Sequence, residues 1–156
     1  MLVIDRALLD RLSAEARENP RRRKNFNLHQ SDDFCCHRLL NAMEPGSYIR
    51  PHRHLEPLKD ESMVMVRGRM GVIAFDERGN VSGHTILEAA GENLAVDIPH
   101  GRFHTVVSLE RGTVFFESKA GPYRPLSEGE KGGWSPAEGS PEAASYLASL
   151  VRLVKG

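Results

Sequence analysis

Residues 46–68 read GSYIRPHRHLEPLKDESMVMVRG. His52 and His54 stand two apart in a β-like stretch, and because side chains alternate along a strand, both imidazoles point to one face. Two neutral imidazoles on one face make half a metal site. Glu61 follows a loop containing Pro57 and leads directly into the apolar run SMVMVRG, so it can face the histidines from the neighbouring strand of a hairpin. A carboxylate there offsets the charge of a cation and favours a transition metal. A third histidine, His104, opens the segment FHTVVSL just after the turn PHGR.

Outward from this stretch the pattern stays β-rich. Between residues 34 and 119 run FCCHRLLNAM, SYIRPHRH, SMVMVRGRMGVIAF, SGHTILE, LAVDIP, FHTVVSL and TVFFESK, separated by the turn signals EPG, DERGN, AAGEN, PHG and ERG. Many short strands at this spacing predict an antiparallel sandwich or barrel. Ahead of them, Ile4, Leu8, Leu9, Leu12 and Ala16 recur at helical spacing over residues 3–18, with Pro20 as the stop. RRRKNFNLHQSDD, residues 21–33, reads as a polar connection whose basic run, Arg21 to Lys24, is a solvated face or a cover for the barrel mouth. After Tyr123 the Gly-, Pro- and Glu-rich stretch reads as a surface excursion. Ser140 and Pro141 then start a second helix with Ala144, Leu147, Leu150, Val151 and Val154 on one stripe, which needs the barrel exterior or a second subunit to pack on. The expected division is 1–33 for helix and basic connection, 34–125 for the barrel and 126–156 for the excursion and final helix, together one folded domain.

Lys plus Arg and Asp plus Glu both number 21, so no global electrostatic footprint for nucleic acid or membrane exists. Asp5, Arg6 and Asp10 interrupt the apolar start, which argues against a signal-peptide core, and no apolar run approaches the roughly 20 residues that span a bilayer. A cytoplasmic protein is expected. Cys35 and Cys36 are adjacent, too close for an unstrained disulfide, and are expected as free thiols, one packed and one facing out.

The histidine pattern resembles the cupin superfamily. Its first motif is a glycine, five residues, His-x-His, a short gap, Glu, six residues and a glycine, matched by Gly46, His52, His54, Glu61 and Gly68. Pro99, Gly101 and His104 match the centre of the second. The gap from His54 to Glu61 is six residues where three or four are usual, Asn93 stands at an expected glycine, where Asn tolerates positive φ, and Ser108 replaces the final Asn. The chain is similar, more narrowly, to the WbuC-like cupins through NPRRRKNFNLH, RLLNAMEPGSYIRPHRH and FFESKAGPYRP, over residues 1–125. The resemblance implies a mainly β, single-domain cupin, a double-stranded β-helix or jelly-roll barrel with an N-terminal and a C-terminal helix. It implies one divalent transition metal ion, with zinc, iron, manganese and nickel all admissible, on His52, His54, Glu61 and His104. It also implies a homodimer.

By strand alternation Arg50 shares the face of His52 and His54 and is expected to contact an anion through its guanidinium fork. Arg38, Glu117, Lys119 and Tyr123 join it as ligand-binding candidates through the resemblance. His29, His37, His84 and His100 are expected at the surface or hydrogen-bonded, with His29 nearest the site. The ligand class expected is a small anionic or polyhydroxylated molecule. Three functions follow: a metal-dependent enzyme on such a metabolite, a binding or sensor protein without turnover, and a metal-independent sugar epimerase, against which the clustered ligand set argues.

Overall fold

The computed structural model describes residues 1–156. In chain order the elements are α1 (Arg6–Glu18), β1 (Arg23–Asn27), β2 (Cys36–Met43), β3 (Glu61–Arg67), β4 (Arg69–Phe75), β5 (Val81–Glu88), β6 (Ala95–Ile98), β7 (Phe103–Ser108), β8 (Thr113–Ala120), a 3-10 turn (Glu128–Glu130) and α2 (Ala143–Lys155). The strands form a five-stranded sheet ordered β1-β2-β8-β3-β6 and a three-stranded sheet ordered β5-β4-β7, with every pairing antiparallel. This is the mainly β jelly-roll barrel with two flanking helices.

Alternation along the strands distributes the core into three layers. Between the sheets lie Met43, Met63, Met65, Met70, Val72, Leu87, Ile98, Val106 and Phe115. The outer face of the larger sheet presents Leu40, Ala42 and Val114 to Leu8, Leu9, Leu12 and Ala16 of α1. Ile73, Phe75, Phe103 and Val107 on the other sheet meet Ala143, Leu147, Leu150 and Val154 of α2. Both helices therefore find their cover on the barrel exterior. Asp5 caps α1, accepting from the Leu8 N–H at 2.9 Å, and Arg67 ties the helix to β3 through Asp10 and the Leu9 carbonyl.

Several expectations change. The run of residues 62–75 is two strands in different sheets, because Gly68 takes φ 79 and turns the chain over Thr113; a Cβ there would lie 2.9 Å from the Thr113 Cα. Residues 23–27, read as connection, form β1, whose alternation is inverted: Phe26 packs toward α1, while Asn25 and Asn27 face the barrel cavity. Residues 47–54 form no extended strand. His52 alone bridges, to His104 on one side and to Lys131 on the other. The C-terminal excursion thus holds the histidine segment, with Arg53 N–H donating to the Glu130 carbonyl and Gly132 N–H to that of Pro51. In α2, Ala143 rather than Ala144 is buried, since the helix starts at residue 143. Both cysteines are exposed. Asn93 is not at positive φ; its amide hydrogen-bonds Thr85 and the Ile86 carbonyl instead.

Leu12 has no exposed surface and joins α1 to β2 and β8. Leu12→Ala is expected to cost about 2–5 kcal/mol while unfolding stays a single transition. Urea denaturation checks this, and an unchanged midpoint would mean that α1 is not integral to the barrel.

Candidate metal centre

The site forms where the two sheets approach. Glu61 is the first residue of β3, paired to Ile98 and to Lys119, and His104 is the second residue of β7 in the other sheet. His52 is stitched to β7 by a reciprocal backbone pair, His52 N–H to the His104 carbonyl at 3.0 Å and His104 N–H to the His52 carbonyl at 2.8 Å. The PHG turn closes over the segment, Gly101 N–H donating to the His54 carbonyl at 2.7 Å with Gly101 at φ 76. Ring centroids of His52 and His104 lie 4.7 Å apart, and those of His52 and His54 5.3 Å.

Ligand atoms of His52, His54 and Glu61 all lie within 4.8 Å of one another, a group that can hold a metal ion. His104 joins it through Glu61. The hydrogen bonding orients the donors: His52 Nδ1 lies 3.1 Å from the Arg50 carbonyl and His104 Nδ1 3.0 Å from that of Arg102. A carbonyl only accepts, so each ring holds a proton on Nδ1 and directs Nε2 to the site, the usual support for a ligating imidazole. His104 Nε2 then sits 2.9 Å from Glu61 Oε2, and a lone pair facing a carboxylate oxygen at that distance requires a cation between them, proton or metal. His54 Nε2 is buried with no hydrogen-bond partner, 3.7 Å from the same oxygen. An unpartnered buried nitrogen is costly, and a metal ion would satisfy it. The residues present fit the ion that the donor set implies.

Electrostatics match this use. Burial, with the neighbouring His104, pushes the His52 pKa down to about 3, which keeps the ring neutral and its lone pair available. Burial of Glu61 works against its charge, yet the Lys119 ammonium, the hydrogen bond with His104 and the nearby His54 ring win, holding the carboxyl well below its ordinary range. Lys119 Nζ donates to Glu61 Oε1 at 2.8 Å and is also paired with Glu117. Burial opposes the Lys119 charge, but the two carboxylates raise its pKa. Burial and then the charge of Glu61 push Glu117 up to about 7, and Asn41 Nδ2 donates to it at 2.7 Å.

These groups line a cavity of about 410 Å³ inside the barrel, with Asn25, Asn27, Asn41, His29, His37 and Tyr123 on its walls. Of the residues expected from sequence, Glu117, Lys119 and Tyr123 line it, and so does His29, stacked on His37 with centroids 4.0 Å apart. Arg50 and Arg38 do not. Arg50 points into the C-terminal excursion, donating to the Gly132 carbonyl at 3.0 Å and to Ser135 Oγ at 3.3 Å, because residues 47–54 lack the regular alternation that would have turned it inward. Arg38 is exposed and lies over the Phe34 ring. His100 pairs with Asp60, and His84 is exposed. Sequence reading offered Arg23 only within the basic run Arg21 to Lys24 and missed Asn25, Asn27, Asn41 and His37; the period-two polar pattern Arg23, Asn25, Asn27 was the available signal.

Fold and site together define a protein of cupin-like fold with a His and Glu cluster able to hold a metal. The chain belongs to the family described as a domain of unknown function, DUF6016, whose model matches residues 4–87. No curated protein matches it. Among solved structures it is similar to KdgF from Halomonas sp. (19% identity, TM-score 0.52, 69% of this chain and 85% of that one). TT1209 from Thermus thermophilus is similar too (23% identity, TM-score 0.52, 77% and 97%). So is SO0799 from Shewanella oneidensis (14% identity, TM-score 0.51, 64% and 68%). These likenesses bear on the fold alone.

Lys119 separates two buried carboxylates. In the metal-free chain Lys119→Ala is expected to destabilise by about 3–5 kcal/mol, since Glu61 and Glu117 are left facing each other. Adding Glu117→Gln recovers part of the loss. Chemical denaturation of both variants measures this, and an unchanged midpoint in Lys119→Ala would refute the network.

Proposed function

We propose that this protein is a metal-dependent cupin of the WbuC-like group, that one divalent transition metal ion is held by His52, His54, Glu61 and His104, and that a small polyhydroxylated or anionic metabolite is transformed beside it. The observation that carries the reading is the unpartnered His54 Nε2 buried beside Glu61, together with two further imidazoles whose Nδ1 atoms are tied to carbonyls. Zinc, iron, manganese and nickel all suit three imidazoles and one carboxylate. When bound, such an ion supplies Lewis-acid polarisation or redox chemistry at positions the protein leaves open.

The chain's own residues do the rest. His52, neutral because it is buried, presents a lone pair without first losing a proton. Glu61 enters already ionised, its charge stabilised by Lys119. Asn41 fixes Glu117, and the amide edges of Asn25 and Asn27 at the cavity wall offer both donors and acceptors to hydroxyl groups. The exposed, unpaired Cys35 and Cys36 suit the reducing cytoplasm.

A homodimer forms part of the proposal. Val64 and Val66 on the outward face of β3 are 41% and 37% exposed, and Leu94 49%, an apolar group on a barrel with open edge strands. Light scattering across micromolar concentrations is expected to give twice the 17.4 kDa chain mass; a single-chain mass would remove this element.

Elemental analysis of the purified protein is expected to find one transition metal per chain. His52→Ala and His104→Ala should each weaken metal affinity by at least about 10–100-fold, the range already seen for losing only a supporting hydrogen bond. Full occupancy in both variants would overturn the assignment.

A further inference from the structure

A second space, of about 460 Å³, adjoins the barrel cavity at His52. It shares His52, Arg23, Asn25, Lys119 and Tyr123 with the barrel cavity and adds His54. Its walls carry Arg21, Arg23, Lys24, Lys59, Lys119 and Arg124, and no Asp or Glu lines it. The cations come from four separate places in the chain: the start of β1, the loop after His54, β8 and the segment beyond it.

Their carboxylate partners sit outside this space and do not exhaust them. Glu138 alone answers both Arg21 and Arg23, so that corner retains positive charge. Arg21 uses Nε and Nη2 on Glu138, leaving Nη1 unengaged, and Lys24 spends one of its three N–H groups on Glu15. Lys59 is buried at 7% exposure with Nζ on the Pro122 carbonyl and Glu56, which leaves it one donor. Arg124 contacts Asp33 only at 3.8 Å and the Tyr123 carbonyl at 3.1 Å. A carboxylate needs one guanidinium fork. Spare donors converging from several directions suit an oxygen-rich dianion.

We propose that this vestibule is a phosphoryl-binding subsite, and that the ligand is a phosphorylated, polyhydroxylated molecule whose phosphate lies among Arg21, Lys24, Lys59 and Arg124 while its remainder reaches past His52 into the barrel cavity. The placement of that remainder rests on the metal-site reading; the phosphate subsite itself does not. Lys24 and Arg124 can be removed without touching the His and Glu cluster, since neither contacts His52, His54, Glu61 or His104.

Calorimetric titration of inorganic phosphate into the metal-loaded full chain tests this, with metal content measured on the same samples. Binding is expected at low ionic strength, weakening as salt is added. The double variant Lys24→Gln, Arg124→Gln should bind phosphate at least about tenfold more weakly with metal content and circular dichroism unchanged. The single Arg124→Gln should fall between. Equal affinity in wild type and double variant would overturn the proposal, because the phosphate would then be on the metal or elsewhere, and so would an absence of heat up to about 10 mM phosphate. Substoichiometric metal in the wild type would count against the metal reading alone, the phosphate affinity being read separately.

Discussion

Glu61, only 2% exposed, is a carboxylate at the meeting point of two sheets, and its charge has to be answered from every side. Burying an ion without partners costs several kcal/mol, so its neighbours are constrained by it. Lys119 answers from β8, one strand over, and is itself large enough a charge to require Glu117 two residues earlier on the same face. Asn41 on β2 then satisfies Glu117. On the other side His104 and His54 close on the remaining carboxylate oxygen. One acidic side chain thereby sets the polar identity of positions on β2, β3, β7 and β8, while Met63, Met65, Phe115 and Val106 fill the same interior further along as ordinary apolar core.

The histidine segment needs a different kind of support, because it is not a strand. A stretch with one bridge on each flank has little pairing of its own, and Pro51 removes a further donor. The C-terminal excursion makes up the deficit. Glu130 and Gly132 bond the backbone at Arg53 and Pro51, Arg50 is drawn to Gly132 and Ser135, and Trp134 packs on Phe75 and on Phe103 of β7, the strand that carries His104. The excursion is fastened at its far end by Arg21 and Arg23 on Glu138. Burial there disfavours the carboxylate, but the two guanidinium hydrogen bonds win and bring its pKa down to about 2. Because the folded value is the lower one, the clasp contributes stability above the ordinary glutamate value of about 4.3, and the contribution is lost as pH falls through about 2.

Much of the fold was legible because strand alternation and turn chemistry are local. The segments at residues 82–88, 103–109 and 113–119 match β5, β7 and β8 to within two residues, and α1 ends where Asn19 and Pro20 stop it. The His and Glu cluster was legible because His-x-His, Glu61 and Gly68 fall within one short stretch of sequence, with Gly68 at positive φ, although the histidines bridge β7 instead of pairing with β3 in a hairpin. Tertiary pairing was not. Only the polar alternation marks Arg23 to Asn27 as a strand, and it runs the reverse of an ordinary half-buried one, since its apolar residue faces a helix and its polar ones a cavity. Arg50 was misplaced by extending alternation through a segment whose geometry is fixed from residues 128–132, about eighty positions away.

With Arg50 outside and the inward Arg23 guanidinium already paired with Glu138, the remaining inner charges are Glu61 and Glu117 against Lys119, and a divalent ion would bring that set to a net of one positive charge. Such a centre tolerates a single anionic group and has no free guanidinium for a second. Any further negative charge on a ligand has to be met outside the barrel interior, and the neighbouring space built from cations without a lining carboxylate is the vestibule beyond His52 and His54. The basic run that begins at Arg21 therefore belongs to the site through β1: pairing to β2 turns Arg23 and Asn25 inward, and the same strand leaves Lys24 at the vestibule wall.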